Sequence, residues 1–146
     1  WGKELLLHSD QTYPDLIRFT LNEMDGFSFW AWGLWRVPSG ADLREPLPDS
    51  EAYIQCAGNS ERLTVEVRFV DPDGVAHQYT VGKPGGDHPA QSSEPSETIR
   101  WDNGRSSTIV YPNEVFKADE AAAVFYTYFL TGGVGRSYPL RELELG

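Results

Sequence analysis

Residues 61–81 read Glu61-Arg62-Leu63-Thr64-Val65-Glu66-Val67-Arg68-Phe69-Val70-Asp71-Pro72-Asp73-Gly74-Val75-Ala76-His77-Gln78-Tyr79-Thr80-Val81, and this stretch decides the fold class. Leu63, Val65, Val67 and Phe69 alternate with Thr64, Glu66 and Arg68, which is the pattern of a strand with one face inward and one face outward. Asp71-Pro72-Asp73-Gly74 then carries proline at the second turn position and glycine at the fourth. Val75 to Val81 therefore returns antiparallel as the second arm of a hairpin. His77 is in phase with Tyr79 and Val81, so a structural role is expected for it.

Working outward, residues 51–57 form a preceding strand, in which Cys56 keeps step with Ala52 and Ile54 as a buried packing residue. Downstream, Thr98 to Trp101 and Ser107 to Val110 flank Asp102-Asn103-Gly104-Arg105. Asn-Gly between two β-like runs is a strong hairpin signal. Glu114 leads into a helix near 117–131, with Asp119 and Glu120 in the first turn, where carboxylates favour the positive helix end. Its apolar stripe is Ala121, Val124, Phe125, Tyr128 and Phe129, and Gly132-Gly133 stop it. Tyr138 to Leu145 gives a last strand.

Toward the amino terminus, Leu5 to His8 reads as a short first strand. Asp10 to Asp15 reads as a helix start, with capping side chains, Pro14 in the first turn and an acid at the positive end. Ile17, Thr20, Leu21 and Met24 follow at helical spacing, so a helix is predicted near 12–25, ended by Gly26. Phe27 to Val37 alternates Phe27, Phe29, Ala31 and Trp35 against Trp30, Trp32 and Leu34. Both faces are apolar. That predicts a central strand covered on both sides; the alternative places one tryptophan row in a groove or at an interface. Residues 38–50 hold three prolines and a glycine and form a loop. Residues 82–96, rich in glycine, proline and serine, form another. The predicted class is α+β: one domain over 1–146, a meandering antiparallel sheet with two main helices packed on one face.

Size and composition bound the function. The chain has 146 residues and 16.4 kDa, which suits one domain with a sizeable core. Hydrophobic residues make up 40% and aromatics 13%, so disorder is excluded. No apolar run approaches the roughly 18 residues of a membrane span, and Leu5 to Leu7 is too short a core for a signal peptide. One cysteine excludes an internal disulfide and suits a reducing compartment. Acids outnumber Lys plus Arg by 22 to 12, a net charge of -10. That argues against nucleic acid or an anionic membrane as direct partner and leaves two readings: an ordinary acidic protein with solvated charge, or a surface that meets a basic protein partner.

Catalytic equipment is sparse. His8, His77 and His88 stand at no metal-ligand spacing, and no cofactor motif occurs. Lys83 among glycines does not match a phosphate loop, and no serine lies in G-x-S-x-G. Asp71 with Asp73, or Glu94 with Glu97, could serve a glycosidase, and tryptophans with acids could line a sugar cleft. Solvated loop charge is the plainer account of each pair.

One combined pattern is distinctive. Asn113-Glu114-Val115-Phe116 is followed by Ala118-x-Glu120-Ala121, Val124-Phe125-x-x-Tyr128, Thr131-Gly132 and Tyr138-x-Leu140-Arg141. This order resembles the C-terminal part of immunity protein family 1 of bacterial polymorphic toxin systems, in its actinobacterial form. The resemblance is best over residues 107–145. It extends loosely back through the 63–69 strand, Tyr79 and Gly82-Lys83-Pro84-Gly85. It departs at Leu143-Glu144-Leu145, where many relatives carry a tryptophan, and it has no counterpart for 27–50.

The resemblance implies a cytoplasmic antitoxin without enzymatic activity or cofactor, which masks the active site of a cognate toxin domain, such as a nucleic-acid deaminase or nuclease. Toxins that grip nucleic acid present cations, which carboxylates can meet. The matched residues are expected to be scaffold. The sequence itself supplies the candidate contact residues: Trp30, Trp32, Trp35, Asp42, Glu45, Asp49, Glu51, Asp71, Asp73, Asp87, Glu94 and Glu97. The rival readings are a carbohydrate- or peptide-binding module and a small carbohydrate-acting enzyme.

Overall fold

The structure is a computed structural model, and it describes residues 12–37, 40, 42, 44, 51–85 and 94–145. The short strand expected at Leu5 to His8 lies outside them.

Helix α1 (Tyr13–Asn22) starts where the sequence places it. The Thr12 side chain accepts from the Asp15 backbone N–H, and Pro14 and Asp15 occupy the first turn. The helix ends at Asn22, ahead of Gly26. Five strands then build an antiparallel sheet in the order β1-β2-β3-β4-β7: β1 (Ala31–Leu34), β2 (Tyr53–Asn59), β3 (Arg62–Val70), β4 (Ala76–Val81) and β7 (Leu140–Leu143). The 61–81 hairpin forms as read, with Val67 opposite Tyr79 and Phe69 opposite His77. The predicted turn closes through Gly74 N–H to Asp71 C=O. Gly74 has φ +87°, a conformation that suits a residue without Cβ.

Register decides what faces what. Trp32 is opposite Cys56, Cys56 opposite Val65, Ile54 opposite Val67 and Val67 opposite Tyr79. These side chains form one inner face with Leu63 and Val81, and both helices pack on it. The helices are antiparallel. Asn22 at the end of α1 donates to Asp119 at the start of α2 (Ala118–Thr131), and Tyr13 meets Phe129 at the other end. The Trp32 and Phe125 rings stack at the centre, 5.2 Å apart.

Helix α2 is bounded by chemistry legible in the sequence. The Glu120 carboxylate accepts from the Lys117 N–H at its start, and Gly132 ends it at φ +75°. Just before it, Phe116 exchanges both backbone hydrogen bonds with Leu63, so the segment that enters α2 is stitched to the sheet.

The remaining strands, β5 (Glu97–Trp101) and β6 (Ser106–Val110), leave the meander and pair as a sheet of their own. Their turn is the expected Asp102-Asn103-Gly104-Arg105 loop. The left-handed positions are Asp102, Asn103 and Gly104, and four residues separate the paired ends Trp101 and Ser106. Ile99 and Val110 are buried apart from the main cluster. Arg62, whose side chain points away from the helix face, donates to Thr98 C=O. The hairpin thus covers the second face of the sheet near its Arg62 end, where Thr64 is buried.

One element departs from the sequence reading. The 27–37 segment is not a central strand. Asp25 holds residues 27–29 in a loop: its carboxylate accepts from the N–H groups of Phe27, Ser28 and Phe29 and from the Ser28 hydroxyl. These four donors hold its pKa well below the usual carboxylate range, with the Phe29 N–H contributing most. Only Ala31–Leu34 pairs, at one edge of the sheet. A local carboxylate-capped turn outcompetes strand propensity here.

Candidate functional site

Register brings several of the expected contact residues to one end of the sheet. Tyr53 pairs with Arg68, so Glu51, just ahead of β2, lies toward the Asp71-Asp73 turn that follows β3. Leu143 pairs with Gln78, which brings Glu142 and Glu144 to the same end. Glu51, Asp71, Asp73, Glu142 and Glu144 are all exposed there. The sequence signal for the last two was the alternation Glu142-Leu143-Glu144-Leu145, read only as a final strand.

His77 sits at the heart of this end. Its Nδ1 lies 2.6 Å from Glu142 Oε1, and its Nε2 lies 2.9 Å from Asp71 Oδ2. Hydrogen bonds to the Glu142 and then the Asp71 carboxylate raise its pKa above the ordinary imidazole value. Beside the ring is an open depression of about 680 Å³, lined by Ala76, His77, Glu142, Leu143, Glu144 and Leu145. It pairs apolar wall with carboxylates, which suits a long cationic side chain: alkyl stem against leucine, charged head against acid.

The other expected residues are distributed differently. Trp30 is 36% exposed, beside Phe27 at 62%, in the loop that leads into β1. Trp32 is corrected: at 2% exposure it is a core residue stacked on Phe125, not a contact surface. Alternation alone put Trp30 and Trp32 on one face, but Trp30 precedes the paired strand, so its ring does not share that burial. Trp35 is half-buried, and its indole Nε1 is enclosed without a hydrogen-bond partner. Asp42 spends its charge locally, accepting from Arg44 Nε at 3.0 Å and Nη2 at 3.1 Å. Arg44 also lowers its pKa. Glu94 and Glu97 belong to the opposite end of the sheet, since Thr98 receives Arg62, which pairs with Asn59. Glu45, Asp49 and Asp87 lie outside the described residues.

Both nitrogens of His77 are engaged, on opposite sides of the ring, so neither faces an open substrate position. The Asp73 carboxylate accepts from Val75 N–H and holds the turn. Cys56 is buried against Met24, its Sγ 3.7 Å from the Met24 Sδ, and burial pushes the thiol pKa far above its ordinary value. Among the described residues, no three His, Cys, Asp or Glu side chains are grouped to hold a metal ion. Among them, too, no helix is long and apolar enough to cross a membrane.

Comparison with protein-family models, with curated proteins and with solved structures finds no match for this chain.

Proposed function

We propose that this protein is an antitoxin: an immunity protein that binds a basic toxin domain in the cytoplasm, masks its active site and turns over no substrate. The carrying observation is the collection of Glu51, Asp71, Asp73, Glu142 and Glu144 at one end of the sheet, in a chain of net charge -10. Such a surface steers a cationic partner and speeds encounter more than it tightens the final complex. The resemblance over residues 107–145 supports the same reading and points to a nucleic-acid deaminase or nuclease as the toxin. Phe27 and Trp30 supply exposed aromatic area of the kind that anchors interfaces.

The test is binding to the toxin domain encoded by the adjacent gene, followed by surface kinetics at several salt concentrations. Association is expected to slow by about tenfold or more from low to physiological salt, with little change in dissociation. Combined Glu51→Gln, Asp73→Asn and Glu144→Gln exchange lowers the on-rate and leaves His77 with both its carboxylates. A salt-insensitive on-rate removes this end of the sheet from the interface. Failure to bind, together with sugar binding or glycoside hydrolysis by the purified protein, would replace the antitoxin reading with the aromatic-cleft alternative, for which exposed Trp30 is the specific observation.

A further inference from the structure

We propose that His77 is a proton-dependent latch that fastens the edge strand β7 and the β3–β4 turn to β4. The inference is independent of the identity of any partner.

The geometry carries it. Among the described residues β7 pairs only with β4, so it is an edge held from one side. Two side-chain ion pairs reinforce that hold, on opposite faces. On the outer face Arg141 grips Glu114. On the helix face, that of Tyr79, Glu142 meets His77. The guanidinium of the first pair stays charged at any ordinary pH. The imidazole of the second does not. An imidazolium donates from both ring nitrogens, one bond to Glu142 and one to Asp71. A neutral imidazole has a single N–H and can satisfy one carboxylate only. Its other nitrogen then turns a lone pair toward a carboxylate oxygen less than 3 Å away, which is repulsive. Loss of one proton therefore breaks the bridge at one end.

The neighbouring carboxylates favour the protonated ring and outweigh the opposing effect of partial burial. From the turn after β3 comes Asp71, from β7 comes Glu142, and Glu144 lines the same depression. Phe69 is the cross-strand neighbour on β3. Among the described residues, the charged side chains that meet the ring are the carboxylates of Asp71 and Glu142. The latch closes at low pH and opens as pH rises.

The experiment uses the full chain. Imidazole ¹⁵N shifts of His77 are followed by NMR from about pH 5 to about pH 9, together with amide exchange of β7 relative to β3. His8 and His88 are replaced by Gln so that one imidazole is observed. Below its midpoint His77 is expected to show both nitrogens protonated, and the midpoint to lie above the ordinary histidine value. The relative protection of the β7 amides should fall at least about threefold as pH passes that midpoint, and the step should be absent in His77→Gln. If His77→Gln does not fold, Glu142→Gln serves instead: it should move the midpoint down toward the ordinary value and flatten the step. A His77 midpoint at or below the ordinary value overturns the latch. So does a protection step that survives either substitution.

Discussion

Arg141 and Glu114 form a forked ion pair, Nη2 to Oε1 at 2.9 Å and Nε to Oε2 at 3.0 Å, that ties the last strand to the short 3₁₀ turn ahead of α2. Glu114 Oε1 also accepts from the Tyr111 N–H, and the guanidinium lies 5.2 Å from the centre of the Tyr111 ring. The pair joins the first and last pieces of the pattern that carries the immunity-protein resemblance. Its members have unequal access to water: the Glu114 side chain is 5% exposed and the Arg141 side chain 35%.

That inequality predicts asymmetric mutants. Arg141→Ala strands a carboxylate in the interior, whereas Glu114→Ala leaves a guanidinium that can turn toward solvent. Arg141→Ala should cost about 2–3 kcal/mol, less than loss of a fully buried pair because water screens the site. Glu114→Ala should cost roughly half as much. Urea melts of the single and double variants check this, and equal losses would refute it.

Phe125 is fully buried and stacked on Trp32 between helix and sheet. Phe125→Ala should lose about 3–5 kcal/mol. A loss below about 1 kcal/mol in a denaturant melt would mean that the α2 stripe does not bear on the core.

The two neighbouring tryptophans should separate stability from binding. Trp32→Ala should cost about 3–5 kcal/mol, and Trp30→Ala about 1–2, because much of the Trp30 ring already meets water. Trp30→Ala should instead raise the dissociation rate from the toxin domain. Calorimetry gives the first comparison and surface kinetics the second; a Trp30 variant with wild-type dissociation removes that ring from the interface.

Asp25 contributes to the acid side of the stability profile. Its carboxylate is held below the usual range by its four donors, so it contributes stability that is present above the unfolded-state value of about 3.9. That contribution is lost as pH falls through the lower folded-state value. Asp25→Ala should lower the melting temperature at neutral pH and converge on wild type in strong acid. Parallel losses at both pH values would show that the carboxylate's charge does not hold the 25–29 turn.

Most of the local elements are legible in the order of residues alone. Alternation in Leu63 to Phe69, the Asp-Pro-Asp-Gly turn, the caps of α1 and the glycine stop of α2 are short-range chemistry, in which each residue's preference is satisfied by near neighbours. They also determined the class, an antiparallel sheet with helices on one face. Strand order and long-range pairing belonged to the tertiary structure. Nothing local tells Ala31–Leu34 that it lies at the edge, since apolar side chains on both faces suit an edge strand beneath helices as well as a central one. Nor does spacing reveal that Asp25 captures residues 27–29, that β5 and β6 desert the main sheet, or that Glu142 and Asp71 meet across His77. The Asp25 turn spans only two to four residues and outcompetes a strand that suits the same side chains, whereas Glu142 and His77, 65 residues apart, meet only through sheet pairing. The register, fixed where Leu63, Val65 and Val67 are buried on the helix face, sets Glu142 beside His77.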